Sequence, residues 1–270
     1  MINDAPSLSI CPLASGSGGN AIYISGGKSA ILLDAGLSGV ELERRMAARG
    51  LNLESIDAVV VSHEHTDHVK GAGVLSRRYG IPLFISERTL KAAAGRLGKV
   101  DRITHFRCGH PFDIGELSLN PFSISHDAGD PSGFTVERHR CKLAVATDLG
   151  VATTLVRHHL QGSSLIYIEA NHDPEMLRQG PYPWHLKQRV KSRLGHLSNG
   201  DAGELICQVR EGYLNRNGHR PLGHVILGHL SQDNNTPEKA LQTVCEILDD
   251  SNIKVSVAMP DSPGEMIHLG

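Results

Sequence analysis

The sequence predicts a layered α/β fold, and three features carry that reading. Short apolar runs alternate with helical stretches in both halves of the chain. Several runs, AVVV and LIYI among them, are apolar at every position, and such strands need both faces of their sheet covered. No internal repeat, low-complexity tract or linker divides the 270 residues, so a single domain over 1–270 is expected.

Three β-rich runs open the chain, at 8–15, 21–27 and 29–36, separated by Gly, Ser and Asn turns of the hairpin kind. A helix is expected over 40–49, stopped by Gly50. The strand DAVVVS follows, then a helix over 69–79, a strand at 82–86 and a helix over 88–95. In the second half, 116–125 reads as a strand and 133–147 as a hairpin turning near His139-Arg140. A helix over 151–160 leads to the strand 164–168. Helical stretches at 184–194, 200–215 and 237–249 complete the pattern, with strands at 224–228 and 254–259 among them.

Lys and Arg (27) nearly balance Asp and Glu (29), which excludes a generic basic nucleic-acid coat but leaves room for a local basic patch. No apolar run approaches the ~20 residues of a membrane helix. The N-terminus also lacks a basic stretch followed by a long apolar one, so a cytoplasmic protein is expected. The five cysteines form no C-x-x-C pair, which argues against a disulfide framework or a cysteine zinc finger. Histidine is the unusual component: 16 residues, in a chain with five Phe, five Tyr and one Trp. Imidazole is the commonest metal ligand.

These histidines are placed rather than scattered. VVVSHEHTDHVKG puts His63, His65, Asp67 and His68 directly after an apolar strand and directly before a helix. In extended chain, residues two apart point the same way, so His63 and His65 can converge on one ion. Asp67 and His68, at the turn into the helix, are offset toward a neighbouring position. His126, Asp148 and His229 each follow another strand run: NPFSIS, KLAVAT and VILG. A single histidine after a strand is commonly a core or loop residue, and Asp148 could instead cap the helix after it. As an ordered set they point to one sheet edge, where α/β sheets gather ligand groups.

H-x-H-x-D-H, followed by His, Asp and His at strand ends, resembles the metallo-β-lactamase fold, a four-layer αβ/βα sandwich within the α/β class. The chain is similar to the YycJ (WalJ) group within it. The matching stretches are LASGSGGN, ILLDAG, SHEHTDHVKGAGVL, DPSGF, ATDLG, GPYPWHLKQRVKSRLGHLSN and LGHLSQDNN, spread from near the N-terminus to about residue 235. The resemblance implies one metal held by His63, His65 and His126, a second held by Asp67, His68 and His229, and Asp148 bridging them. Donors that are all N or O suit Zn2+ or Mn2+ and do not decide between them. Two such divalent ions would activate a shared water, and Asp67 could orient it. Asp34, closing ILLDAG, is expected to steady the site from behind.

The implied activity is a metal-dependent phosphodiesterase, foremost a DNA exonuclease. An RNase, a cyclic-nucleotide phosphodiesterase or a thioester or lactone hydrolase on the same fold is the alternative. Glu169, ending SLIYI, and His196, in GHLSN, are similar in placement to the Glu/His proton-donor pair of tRNA 3′-processing members. Their local sequences, IEANHD and HLS, depart from those enzymes. A carboxylate steadying a protonated imidazole makes a general acid for the departing alkoxide.

Between these two residues, LKQRVKSRLG carries Lys187, Arg189, Lys191 and Arg193, where 187/191 and 189/193 are like-charged i,i+4 pairs if helical. Such a stretch is either a solvated face or a phosphate-backbone groove, and Lys187 and Arg189 are the candidate contacts. Ser231, Asn234 and Asn235 are candidates for phosphate oxygens, and SGSGGN (15–20) could bring backbone N–H groups near the metals. Few aromatics means little base stacking, so recognition should be electrostatic and weak in sequence preference. The expected partner is nucleic acid, DNA before RNA, with no membrane and no obligate protein partner. The other histidines, His219 among them, read as surface or structural, with His172 nearest the site.

Overall fold

Each half of the chain builds a mixed sheet. The computed structural model describes residues 8–214, 222–249 and 252–270; Asn215 of the expected helix 200–215 and His219 lie outside them. In the first sheet, β1 (Leu8–Ala14), β2 (Ala21–Gly26) and β3 (Ser29–Leu33) form an antiparallel meander. β4 (Ala58–Val60), β5 (Leu83–Phe84) and β6 (Ile103–Thr104) extend it in parallel. The helices α1 (Gly39–Ala47), α2 (Thr66–Val69), α3 (Ala72–Tyr79) and α4 (Glu87–Leu97) make the crossovers.

The second sheet repeats this plan. β7 (Phe112–Ile114), β8 (Leu117–Ser123), β9 (Ser132–Arg138) and β10 (Cys141–Ala146) are antiparallel, and β11 (Leu165–Glu169), β12 (His224–Gly228) and β13 (Lys254–Val257) continue in parallel. Between them come α5 (Thr154–Leu160), α6 (Pro174–Gln179), α7 (Trp184–Val190), α8 (Asn199–Leu214) and α9 (Pro237–Leu248). The last strand, β14 (Ile267–Leu269), returns to pair with β1.

Period-two alternation sorts the apolar side chains into layers. Ile31, Leu33, Val60, Leu165, Tyr167 and Ile226 point into the space between the sheets. Leu32 and Val59 face the outer layer of α1, α3 and α4, whereas Ile166, Ile168, Val225 and Leu227 face α5, α8 and α9. Helix, sheet, sheet and helix therefore stack in the four layers expected. Strands apolar on both faces were the legible cause. Because β8 and β10 are each antiparallel to β9, and β10, β11 and β12 are parallel, the C-terminal ends of β8, β10, β11 and β12 share one edge.

The structure corrects several sequence boundaries. The helix expected over 69–79 is two helices, because Gly71 donates its N–H to Ala35 O at 2.7 Å and lies too close to Leu37 O for any Cβ. The helix expected over 184–194 ends at Val190, so Arg193 is outside it and 189/193 is not a helical pair. The short strands β6, β7 and β14 and the helix α6 carry too little periodicity to be read from sequence.

Close backbone approach locks three loops together under the site. Asn20 N–H donates to Asp67 O (2.7 Å) and Gly36 N–H to Asn20 O (2.8 Å). A Cβ on Gly36 would lie 1.6 Å from Asp67 O, while one on Gly18 would meet nothing within 4 Å. Gly36→Ala is therefore expected to destabilise the fold by about 3 kcal/mol, and Gly18→Ala by about 0.5 kcal/mol or less. Urea unfolding of the two variants checks this; equal midpoints would refute the loop lock.

Candidate metal centre

The side chains at the shared sheet edge arrive by backbone turns that sequence periodicity does not reveal. Among the described residues, five non-glycine positions have positive φ, and three of them, Asp34 (61°), Asp148 (57°) and His229 (54°), stand just past the ends of β3, β10 and β12. Asp and His tolerate the left-handed region better than most residues. There the turn directs Asp148 and His229 into the cleft and Asp34 against the back of His68.

Seven side chains meet in that cleft. His63 Nε2 is 3.1 Å from His65 Nδ1, which is 3.3 Å from His126 Nε2. On the other side, Asp67 Oδ2 lies 3.4 Å from His68 Nε2 and 3.7 Å from His229 Nε2. Asp148 sits between the groups. Its Oδ2 is 3.2 Å from His68 Nε2, and its Oδ1 is 3.4 Å from His229 Nε2 and 3.6 Å from His126 Nε2. Within each of the sets His63/His65/His126, Asp67/His68/His229 and His63/His68/Asp148, the candidate ligand atoms all fall within 4.8 Å of one another.

The opposite nitrogen of each buried imidazole is fixed from behind, which sets its tautomer. His68 Nδ1 donates to Asp34 Oδ2 (2.7 Å), and Ser62 Oγ donates to the same oxygen (2.7 Å). His63 Nδ1 donates to Ser62 Oγ (3.0 Å), His126 Nδ1 to Gly195 O (3.3 Å) and His229 Nδ1 to Glu169 Oε1 (2.8 Å). These partners aim the opposite ring nitrogens at one another, those of His63 and His126 as lone-pair donors and those of His68 and His229 once a second proton leaves.

A pair of divalent cations fits this set. Three imidazole nitrogens crowd to about hydrogen-bond distance, yet one proton cannot satisfy all three. His229 Nε2 and Asp148 Oδ2 are buried without a hydrogen-bond partner, a costly condition that a cation between them relieves. The clustered His and Asp donors thus form a binuclear metal-binding arrangement.

The two halves differ electrostatically. Burial, then the His68 charge, keeps His63 well below the usual imidazole range, and burial also lowers His126. Burial also acts to lower His68 and His229, but carboxylates overcome it. Asp34 and Asp148 hold His68 well above its ordinary value, and Asp148, Asp67 and Glu169 lift His229 to about 10. Asp148 and Asp67 stay ionised despite burial, because His229 and His68 stabilise their charge.

A second unit adjoins the cluster. Glu169, fully buried at the end of β11, accepts from His196 Nδ1 at 2.6 Å through the same Oε1 that holds His229. Its Oε2 accepts from Leu149 N (2.8 Å) and Leu197 N (3.2 Å). Burial would raise this carboxyl, yet the His196 and His229 charges hold it down to about 2. The cleft, about 290 Å3, is lined by His65, Asp67, His126, Asp148, His196 and His229. Leu186, Arg189, Val190 and Leu194 of α7 and its following turn also line it, and Ser17 comes from the Gly/Ser-rich loop.

Other expected contacts lie elsewhere. Lys187 donates to Arg178 O (2.9 Å) and does not line the cleft, whereas Arg189 does and pairs with Asp127 at 3.2 Å. Ser231, Asn234 and Asn235 are buried, and Asn235 is spent on Ala170 O and Asn199 Oδ1 (2.8 Å each). They brace the loops under the site instead of facing a ligand. His172 is buried too, its carbonyl accepts from Asn199 N, and burial lowers its ring to about 4. Sequence reasoning missed Asn20, whose Nδ2 donates to Asp67 Oδ2 (3.2 Å), and Ser15, whose Oγ accepts from His229 N (2.7 Å) and Tyr167 OH (2.6 Å). Their position in SGSGGN directly after β1 was the available signal.

Two measurements test this geometry. Cations at Asp67/His68/His229 must displace protons from His68 and His229, so affinity there should rise with pH, by up to about tenfold per unit for each proton released. Binding at His63/His65/His126 should depend less on pH, because His63 and His126 are already neutral. Titration calorimetry of chelator-treated protein between pH 6 and 8, in buffers of different ionisation enthalpy, reads both; a proton-neutral second step would contradict the assignment. Asp34→Ala should weaken metal affinity about 10- to 100-fold without touching a ligand, and an unchanged affinity would remove Asp34 from the scheme.

Comparison with known proteins agrees with this architecture. Residues 29–214 match the model of the Beta-lactamase superfamily domain. The chain is 36% identical over 248 residues to exodeoxyribonuclease YycJ of Bacillus anthracis, covering 91% of each protein. It is 37% identical over 253 residues to exodeoxyribonuclease WalJ of Streptococcus pneumoniae, covering 91% of this chain and 90% of that one. The crystal structure of the metallo-beta-lactamase fold protein YhfI from Bacillus subtilis superposes with a TM-score of 0.74 at 14% identity, over 97% of this chain and 99% of that one. Fold, cluster and sequence agree: the chain belongs to the metallo-β-lactamase superfamily and, within it, to the YycJ/WalJ family.

Proposed function

We propose that this protein is a metal-dependent phosphodiester hydrolase, a DNA exonuclease like its named relatives, that works as one domain in the cytoplasm. The observation that carries the reading is the His196–Glu169 pair at 2.6 Å beside the metal-ligand cluster. Opening an activated acyl bond needs no such proton donor, whereas a phosphodiester's alkoxide leaving group does. Zn2+ or Mn2+ ions held by His63, His65 and His126, by Asp67, His68 and His229, and by Asp148 between them would supply Lewis acidity and a water of lowered pKa.

The chain's own residues do the rest. Glu169 holds the His196 ring with Nδ1–H toward itself, which leaves Nε2 as the nitrogen that faces the cleft. That nitrogen delivers the proton to the departing oxygen. Asp67, fixed by Asn20 Nδ2, offers a carboxylate to orient the attacking water. Arg189, which lines the same cleft and is steadied by Asp127, neutralises a phosphate oxygen. DNA is favoured over RNA by the names of the relatives, exodeoxyribonucleases both.

His196→Ala should slow DNA hydrolysis about 100- to 10,000-fold, with a far smaller loss on bis(p-nitrophenyl) phosphate, whose leaving group needs little protonation. Equal losses on both substrates would end the general-acid assignment. Asp67→Ala should abolish hydrolysis of both; wild-type turnover of the model diester by that variant would overturn the site. End-labelled DNA and RNA digested in parallel decide the nucleic acid.

A further inference from the structure

Part of the cleft lining beside the metal cluster is apolar. Leu186 and Val190 on α7, and Leu194 just beyond it, line the same cleft as His65, Asp67, His126, Asp148 and His229. Leu194 is 52% exposed, an unusual place for a leucine beside a polar centre. Its backbone is fixed: its N–H donates to Ser192 Oγ (3.3 Å) and its carbonyl accepts from Asp127 N (3.2 Å). The turn packs so closely that a Cβ on Gly150 would lie 2.4 Å from Arg193 O, and one on Gly195 2.1 Å from Val190 O. An apolar side chain is thus held over the cleft on a rigid turn, one residue before Gly195, whose carbonyl accepts from His126 Nδ1.

Resting on the phosphodiesterase reading, we infer that Leu186, Val190 and Leu194 form a subsite for the base of one nucleotide. A phosphate gains nothing from aliphatic contact and a deoxyribose little, whereas the flat face of a base buries a larger apolar area against it. The cavity, about 290 Å3, lies at the lower end of the ~300–1,000 Å3 typical of small-molecule pockets, which suits one nucleotide rather than a base pair. A paired terminal base must therefore leave its partner to enter. Aliphatic side chains contact any base face and read no edge, so the subsite is indifferent to sequence.

Binding of dAMP and of 2-deoxyribose 5-phosphate to the metal-loaded protein tests this by calorimetry, because the two differ only by the base. The expected result is dAMP binding at least about tenfold tighter, with the other deoxynucleotides within about threefold of it. In Leu194→Ser and Leu186→Ala the dAMP advantage should shrink severalfold while the affinity for 2-deoxyribose 5-phosphate holds. Leu194 is exposed enough for its variant to fold, and a thermal melt checks this. Equal affinities for the two ligands in the wild type, or a dAMP advantage unchanged in both folded variants, would overturn the subsite. Those results would leave DNA cleavage intact; failure of the phosphodiesterase reading shows itself separately, as intact DNA and intact bis(p-nitrophenyl) phosphate.

Discussion

Glu169 Oε1 accepts from His229 Nδ1 at 2.8 Å and from His196 Nδ1 at 2.6 Å, so one oxygen couples a histidine of the clustered donors to His196. A carboxylate with no solvent exposure is expensive to bury unless it is fully hydrogen-bonded. Here two imidazoles and the N–H groups of Leu149 and Leu197 supply four donors. Because the backbone donors come from the loops after β10 and before α8, the carboxylate also sets the spacing of those loops. Moving Glu169 would shift the clustered donors and His196 together.

The rest of the cluster follows the same logic of buried polar groups that have few ways to be satisfied. Asp34, Ser62, Gly195 and Glu169 take up the outward nitrogens, so the inward ones face one another, Asp67, Asp148 and the Asn20 amide. Left-handed turns at Asp34, Asp148 and His229 concentrate strained backbone at this edge, as functional sites commonly do. Tight contacts of Gly36, Gly71, Gly150 and Gly195 with neighbouring carbonyls hold the loops at fixed separation. Preorganisation of this kind is what a two-metal centre requires, since small displacements of a ligand forfeit its geometry.

The cleft is divided in function as well as in chain position. Ligands arrive from the ends of β4, β8, β10 and β12, whereas Leu186, Arg189, Val190 and Leu194 come from a single helix and its following turn. Substrate preference on this scaffold can thus change through α7 without disturbing the metal donors. That separation explains how one sandwich fold supports different reactions while the donor set stays fixed.

The sequence alone determined the layers and most of the centre. Uniformly apolar strands required covering on both faces, and the cluster was legible because His63, His65, His126, Asp148 and His229 closely follow strands, with Asp67 and His68 at the turn into the next helix. Tertiary structure decided what local pattern cannot encode. Ser231, Asn234 and Asn235 look like exposed polar loop residues, yet loop-to-loop packing buries them. A strand such as β6, two residues long, exists only because a neighbour offers hydrogen bonds at the right register. α7 stops at Val190 because the chain must turn back at Gly195 to carry His196 to Glu169, a constraint imposed by a partner 27 residues away. Periodicity reports which face a residue prefers; contact across long sequence separation reports what it touches, and that is set only when the layers close.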